Sequence, residues 1–166
     1  MSSVKISYGP SVNLSVTLLD GLAASPTHVA GWESPVIDNS SDPYEDYRIT
    51  ARITVESSGL SAGQIRMYLV GQLDDSTWPD VFDGTQSAET VTDTEIRDAI
   101  CRLATATATD TNAGRVYYLE CPSVAAVFGG NMPQRFVIFI TQSTGTTIET
   151  SGNQVTVKGS RRVVVE

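Results

Sequence analysis

The sequence predicts an all-β protein, a two-sheet antiparallel β-sandwich arranged as a jelly roll, with about eight strands and one or two short helices. One reason is composition, because 18 Val, 19 Thr and 10 Ile stand against 9 Leu in 166 residues, and β-branched residues favour strands. Another is that several segments alternate apolar and polar side chains, as half-buried strands do. The length suits one domain with a substantial core.

Turn signals and alternation divide the chain into three parts. Residues 1–10 form an N-terminal arm, residues 11–158 the sandwich domain, and residues 159–166 a C-terminal strand or tail. Both ends leave alternatives open. The arm is either a disordered leader or a docking strap, and the tail is either an ordinary last strand or a segment that pairs with a neighbouring protein.

The first half of the chain contains three strand candidates. Residues 11–19 alternate, residues 46–56 alternate more clearly, and residues 64–73 do so around Gly71. A further extended segment at 29–37 is confined to an edge or a loop by its proline. The link through Ser57-Ser58-Gly59 is short, so we expect the segments 46–56 and 64–73 to be adjacent antiparallel strands.

The second half alternates short helices and strands. Residues 91–99 are expected to form a helix with Thr92 as its N-cap, because Glu95 follows at capping-box spacing. A second helical turn begins after Pro122 and stops at Gly129-Gly130. The strands are expected at 101–109, 115–121, 134–141 and 154–158. The unbroken apolar run from Phe136 to Ile140 predicts a strand that is buried on both faces.

Charge excludes one large class of partner. The chain has 11 basic and 19 acidic residues, a formal net charge of −8, so it should repel the phosphate backbone of nucleic acid. No stretch approaches the roughly 18 apolar residues of a membrane span, and the N-terminus lacks the apolar core of a secretory signal. We therefore expect a soluble protein that is made in a cytoplasm and has no nucleic-acid or membrane partner.

Histidine and cysteine argue against catalytic and metal sites. His28 is the only histidine, and Cys101 and Cys121 lie twenty positions apart without a metal-binding spacing. We expect no enzymatic activity, no metal and no cofactor. The two cysteines are interpreted as small buried thiols, although a disulfide between neighbouring strands stays open, since Cα separation decides that question.

The polar loop at 74–90 is the longest irregular segment, and loops of this length are often functional. Its aspartates, Asp74, Asp75, Asp80 and Asp83, are consistent either with calcium or with a solvated acidic loop. Trp32 and Trp78 are either a sugar-stacking pair or packing anchors. The sequence leaves both questions open.

An ordered series of residues resembles a group of virion proteins of tailed bacteriophages. It runs over roughly residues 31–148 and comprises Gly31-Trp32-Glu33-Ser34-Pro35-Val36-Ile37-Asp38-Asn39, Tyr44-x-Asp46, Ser61-Ala62-Gly63-Gln64-Ile65-x-Met67-Tyr68, Trp78-Pro79-Asp80-Val81-Phe82-Asp83-Gly84-Thr85-x-Ser87-Ala88-Glu89-Thr90 and Pro122-Ser123-Val124-Ala125-Ala126-Val127-Phe128-Gly129-Gly130-x-x-Pro133. The resemblance lies in the order of these motifs. No single one of them is specific.

This resemblance implies a jelly-roll decoration (cement) protein on the outer capsid surface. It implies a homotrimer that binds the major capsid protein and reinforces the shell, without catalytic residues. Docking is expected through the termini or through the loop at 74–90. The candidate interface residues are Lys5, Trp78, Asp80, Phe82, Arg161 and Arg162. The alternative function is a carbohydrate-binding module of a capsid or tail appendage that serves host adhesion.

Overall fold

The protein is described from a computed structural model, which covers residues 3–41, 43–56, 61–112 and 114–165. Within these ranges the chain forms ten strands and two short helices, and the strands build two antiparallel sheets. The predicted all-β sandwich is therefore confirmed. The same ranges contain no helix that is long and apolar enough to cross a membrane.

In chain order the elements are β1 (Ser3–Asn13), β2 (Ala30–Glu33), β3 (Ile37–Asp38), β4 (Asp46–Thr54), β5 (Gly63–Gly71), β6 (Ser87–Thr90), α1 (Thr94–Ile100), β7 (Arg102–Thr109), β8 (Val116–Cys121), α2 (Val124–Val127), β9 (Arg135–Gln142) and β10 (Gln154–Val165). Sheet A has the strand order β1-β10-β4-β8. Sheet B has the order β6-β2-β9-β5-β7, and β3 also pairs with β9.

The main core lies between the two sheets. Ile49 and Ile53 of β4 point into it from sheet A, while Phe136, Ile138 and Ile140 of β9 point into it from sheet B. The intervening residues of β9 face the other side of sheet B, where they enter a second core. The strand is thus buried on both faces, as its unbroken apolar run predicted.

The second core is closed by residues 74–98, which we call the acidic segment. Phe82 and Val91 of this segment pack against Val137 and Phe139 on the face of sheet B that points away from sheet A. Trp78 packs against the edge of the same cluster. The acidic segment contributes β6 to the edge of sheet B, and its residues 74–86 lie as a third layer on the face of sheet B that points away from sheet A.

The predicted first strand at 11–19 is wrong in its bounds. β1 runs from Ser3 to Asn13, and the chain turns over residues 17–21, where Leu19 is fully buried by the turn. The alternating pattern gave the wrong bounds because β1 is ordered by pairing with β10, while most of its side chains are exposed to solvent. Residues 3–10 thus belong to the same strand as residues 11–13, and its register with β10 shifts between Tyr8 and Ser11. Residues 1 and 2 lie outside the described ranges.

The C-terminal segment continues the last strand. β10 extends from Gln154 to Val165, well beyond the predicted end at residue 158. Residues 159–165 are therefore part of a strand of sheet A, which is the first of the two alternatives for this segment. Glu166 lies outside the described residues.

The expectation that segments 46–56 and 64–73 are neighbours is also wrong. β4 pairs with β10 and β8 in sheet A, whereas β5 pairs with β7 and β9 in sheet B. β4 alternates between core and solvent, but β5 is buried along most of both faces and needs a central place in a covered sheet. The predicted Ser57-Ser58-Gly59 turn lies outside the described residues.

Both helices form, with one change of cap. The N-cap of α1 is Asp93, whose carboxylate accepts a hydrogen bond of 2.7 Å from the Ile96 amide. Thr92 instead donates its hydroxyl to Asp80 at 2.7 Å. Ser123 caps α2 by accepting from the Ala126 amide, directly after Pro122.

Candidate interaction site

The two terminal strands pair with each other beyond the sandwich. Cα partners run from Ser3 and Val165 to Tyr8 and Ser160. The partnership of β10 with β4 covers only residues 154–160. Residues 3–8 and 160–165 therefore form a two-stranded extension of sheet A, which we call the terminal ribbon.

One face of the terminal ribbon is exposed and mostly apolar, with Arg162 opposite Ile6 as its one charged residue. Val4, Ile6, Tyr8 and Val164 retain between 64% and 67% of their accessible surface. Val4 and Val164 are Cα partners, and side chains at alternate positions share a face, so these four lie together. Contiguous exposed apolar surface on a soluble protein marks an interaction site more often than chance exposure does.

The base of the ribbon is fixed by Tyr44. A Cβ atom at Gly159 would lie 2.4 Å from Cγ of Tyr44, so the tyrosine ring lies directly on the glycine backbone. Gly9 of β1 faces the same ring. The Arg161 guanidinium lies over the ring, 5.5 Å from its centre. The backbone of Tyr44 is held in turn by both side-chain atoms of Asn39, at 2.7 and 3.0 Å.

Charge is distributed unevenly between the layers. β1 and β10 together contain four basic residues, Lys5, Lys158, Arg161 and Arg162, and no carboxylate. The acidic segment contains eight carboxylates and one arginine. Seven of those carboxylates are exposed, namely Asp74, Asp75, Asp80, Asp83, Asp93, Glu95 and Asp98. An acidic molecule thus carries a basic pair of terminal strands.

Three of the predicted interface residues lie in the terminal ribbon. Lys5 is exposed opposite Val163, and Arg161 is half-buried over the Tyr44 ring. Arg162 lies on the opposite face from these two, and its Nε donates to Glu45 at 2.8 Å in an exposed ion pair. The structure brings this group together because β1 and β10 are partners in one ladder.

The other three predicted residues lie in the acidic segment, in a different layer. Phe82 is only 4% exposed and packs edge-on against Phe139 at 5.2 Å, which removes it from the candidate surface. Trp78 is half-buried with its indole against Gly84. Asp80 is exposed, and its carboxylate binds the amide and hydroxyl of Thr92 at 2.9 and 2.7 Å. Phe82 and Trp78 anchor the segment to sheet B, whereas the Asp80 contacts lie within the segment.

His28 is a buried structural residue. It is 4% exposed, and its Nδ1 lies 2.8 Å from the Thr141 hydroxyl oxygen. Burial, together with the positive charges of Arg66 and Arg97, lowers the pKa of His28 to about 4. The imidazole is therefore neutral at pH 7 and has no access to a substrate at the surface.

Glu33 is a residue that sequence reasoning missed. Its side chain is fully buried, and Oε1 accepts hydrogen bonds from the amides of Gly84 at 2.8 Å and Asp83 at 3.3 Å. Within the described residues Oε2 has no hydrogen-bond partner. Burial raises the pKa of Glu33 to about 7. The one signal in the sequence was a carboxylate directly after an apolar Trp32 in an extended segment.

The aromatic and thiol candidates are core residues. Trp32 is fully buried, which removes it from the proposed sugar-stacking pair. Cys121 lies in the main core and Cys101 in the second core, and both thiols are free. The interpretation as buried thiols is confirmed, and the disulfide does not form. Burial raises the pKa of Cys101 to about 12.

Two of the aspartates considered for calcium, Asp74 and Asp83, stabilise their own loops. Asp74 accepts from the amides of Ser76 and Thr77, and Asp83 accepts from the Thr85 amide. In the part of the chain that the structure describes, no three His, Cys, Asp or Glu side chains come together as a metal site.

No protein-family model matches this sequence, and no curated protein matches it. Function is therefore inferred from the geometry and the residue series.

Proposed function

We propose that this chain is a structural virion protein that decorates and stabilises the outside of a tailed-phage capsid. It binds the major capsid protein through the terminal ribbon and acts as a homotrimer. The observation that carries the proposal is the exposed apolar face of that ribbon, formed by Val4, Ile6, Tyr8 and Val164. The ordered series of residues that resembles phage virion proteins supplies the identity of the partner.

The ribbon has the properties of a docking element. A two-stranded ribbon by itself is marginally stable in water. Here Tyr44 packs on Gly9 and Gly159 at the base of the ribbon and restricts the orientation of the ribbon relative to the sandwich. A preorganised element loses little conformational entropy when it binds. Apolar, tyrosine and arginine side chains, which the ribbon carries, are enriched in the centres of protein interfaces.

The acidic surface suits a position on the outside of a DNA-filled shell. Seven exposed carboxylates of the acidic segment would be repelled by packaged DNA if they faced the interior. On the exterior they are solvated and keep the particle surface charged, which favours solubility.

The decisive experiment mixes purified protein with expanded, undecorated capsids of the phage that encodes it. We expect saturable binding and greater resistance of the capsid to heat. Ile6→Asp combined with Val164→Asp should abolish binding, because both charges would be buried in the interface. Leu73→Asp is the matched control, since Leu73 is 67% exposed and lies outside the ribbon. Absence of binding by the wild-type protein would contradict the proposal.

The carbohydrate-binding alternative requires exposed tryptophans, and Trp32 is buried in the core. Trp78 is left, half-buried against Gly84 and the second core. A glycan panel monitored by tryptophan fluorescence tests this alternative directly, and a saturable change in Trp78 emission would favour it over capsid decoration.

A further inference from the structure

We infer that the outer face of sheet A is continuous with the terminal ribbon as one docking surface, and that this surface fits an acidic protein surface. The acidic segment then faces away from the partner. This inference rests on the proposed function for the identity of the partner and decides between the two docking routes, through the termini or through the loop at 74–90. Its basis is the register of the four strands of sheet A.

The strand register places a group of cations on this face. Arg48 and Lys158 are Cα partners on β4 and β10, and the inward positions of both strands fill the main core. Arg52 lies four positions after Arg48 on β4, so both side chains point to the outer face. Arg162 lies four positions after Lys158 on β10, so these two also share that face. The outer face of sheet A therefore carries four cations.

The carboxylates on this face already have partners. Glu120 lies 2.7 Å from Arg48 in an ion pair, and Glu45 lies 2.8 Å from Arg162 in another. Asp46 accepts from the amides of Tyr47 and Ala125. Among the described residues Arg52 and Lys158 form no ion pair with a carboxylate, although Arg52 donates to the carbonyl of Gly152 and so holds its guanidinium in place. The face has a positive excess that an acidic partner would neutralise.

The side chains of this face are those of a protein interface. Tyr118 is 69% exposed and is the Cα partner of Arg52. Tyr8 lies on the same side, with the Lys158 ammonium 5.5 Å from its ring centre. Tyrosine and arginine are the residue types that carry most of the binding energy in many interfaces. The face thus combines the aromatic anchors and the charge that a protein partner requires.

A shallow depression lies in the middle of the face. It has a volume of about 270 Å³, and its lining includes Thr50, Arg52, Tyr118 and Glu120. Because threonine is smaller than its neighbours, a protruding side chain of the partner can enter here. A carboxylate in this position would meet the Arg52 guanidinium, which binds carboxylates in a bidentate geometry.

The acidic segment cannot serve the same partner. It covers the opposite side of sheet B, and its exposed carboxylates would be repelled by an acidic surface. The two regions therefore fit partners of opposite charge, and one orientation on an acidic shell is favoured.

The test measures the affinity of three proteins for undecorated capsids: wild type, Arg52→Glu and Arg102→Glu. Arg102 is the matched control, because it is exposed on β7 of sheet B and the charge change is identical. We expect Arg52→Glu to weaken binding at least tenfold and Arg102→Glu to change it less than twofold. Equal losses in both variants would overturn the inference, since they would indicate a general effect of net charge.

A second measurement is independent of variants. Hydroxyl-radical footprinting of the wild-type complex should protect Tyr8 and Tyr118 and leave Leu73, beside the acidic segment, as reactive as in the free protein. Protection of Leu73 with reactive tyrosines would overturn the inference while capsid binding itself stands. No capsid binding at all would instead contradict the proposed function.

The remaining outcome concerns carbohydrate. If Tyr118→Ala abolishes binding to a panel of polysaccharides but leaves capsid affinity unchanged, the face is a glycan site and the inference is wrong. Leu103→Ala is the control, because Leu103 is exposed on β7 of sheet B, outside this face.

Discussion

Glu33 accepts a 2.8 Å hydrogen bond from the backbone amide of Gly84, although the two residues lie 51 positions apart in the chain. The contact ties the acidic segment to β2. It places a carboxyl group with one unpartnered oxygen in the interior, where ionisation is costly. The position of the acidic segment and the protonation of Glu33 are therefore coupled.

Glu33→Gln should remove a pH dependence of stability. Because the pKa of Glu33 in the folded protein is about 7, above its ordinary 4.5, the folded state holds this proton more tightly than the unfolded chain. Its stabilising contribution is complete below pH 4.5 and is lost as the pH rises through 7, at about 1.4 kcal/mol per pH unit. Urea unfolding between pH 4.5 and 8 measures the slope. Glu95→Gln, on an exposed site of α1, is the control, and an unchanged slope in Glu33→Gln would contradict the assignment.

His28→Asn should remove a pH dependence of stability whose sign is opposite to that of Glu33. The pKa of His28 is lowered from 6.5 to about 4 by burial, so the unfolded chain binds the proton more tightly. The contribution of neutral His28 is present above pH 6.5 and is lost as the pH falls towards 4. Asparagine is chosen because residue 28 has a φ of 57°, which asparagine tolerates.

The two dependences should cancel in the wild type between pH 4.5 and 6.5. In that interval the folded state holds an extra proton at Glu33, while the unfolded chain holds one at His28. We expect the stability of Glu33→Gln to rise with pH in this window and that of His28→Asn to fall. Parallel slopes in the two variants would be incompatible with these assignments.

Gly159→Ala should destabilise the base of the ribbon. The new Cβ would lie 2.4 Å from Cγ of Tyr44 and 2.6 Å from both Cδ atoms, near the root of a ring that cannot simply swing away. Overpacking of this kind costs about 1–3 kcal/mol. Thermal unfolding measures the loss, and hydrogen exchange should show faster exchange at residues 161–165. In a double-mutant cycle Tyr44→Ala should relieve part of the cost; strict additivity would exclude the contact as its cause.

Phe82→Ala should behave as a core substitution. Phe82 is buried against Phe139 in the second core, and truncation of a buried phenylalanine costs about 3–5 kcal/mol. Leu73→Ala, nearby but exposed, should change stability by about 0.5 kcal/mol or less. Equal small effects in both variants would place Phe82 at the surface after all.

The two thiols should be inert in the native protein. Both cysteines are buried, and burial raises the pKa of each thiol, to about 12 for Cys101. Since the thiolate is the reactive form, an aromatic disulfide reagent at pH 8 should detect no thiol under native conditions and two after denaturation. Rapid reaction of either thiol in the folded protein would contradict its burial.

Periodicity predicted the parts of the fold that local pattern governs. β4 alternates in sequence and in burial, and β9 is apolar throughout because both faces are covered. β1 escaped prediction because its apolar residues are exposed and its order comes from β10. The adjacency of β4 and β5 failed for a related reason, since a short link fixes distance along the chain but not which sheet the next strand joins.

The candidate site was predictable only in part. Lys5, Arg161 and Arg162 were identified from local charge, and the β1–β10 ladder brings them together. Phe82 was predicted at the surface because it lies in a polar segment of the sequence. In the structure a second core lies beneath this segment and buries the Phe82 ring. Glu33 and Tyr44 depend on contacts with Gly84, Gly9 and Gly159 that are distant in sequence, and no local pattern signals them.

The pairing of the two terminal strands also sets the order of folding. β1 precedes the other described strands in the chain, yet its ladder partner is the last of them, so its ordering must await the completion of β10. Closing a loop of this length is entropically unfavourable, and such contacts form late. The terminal ribbon is therefore assembled on a finished sandwich, and a chain that stalls or is cut before β10 does not present it.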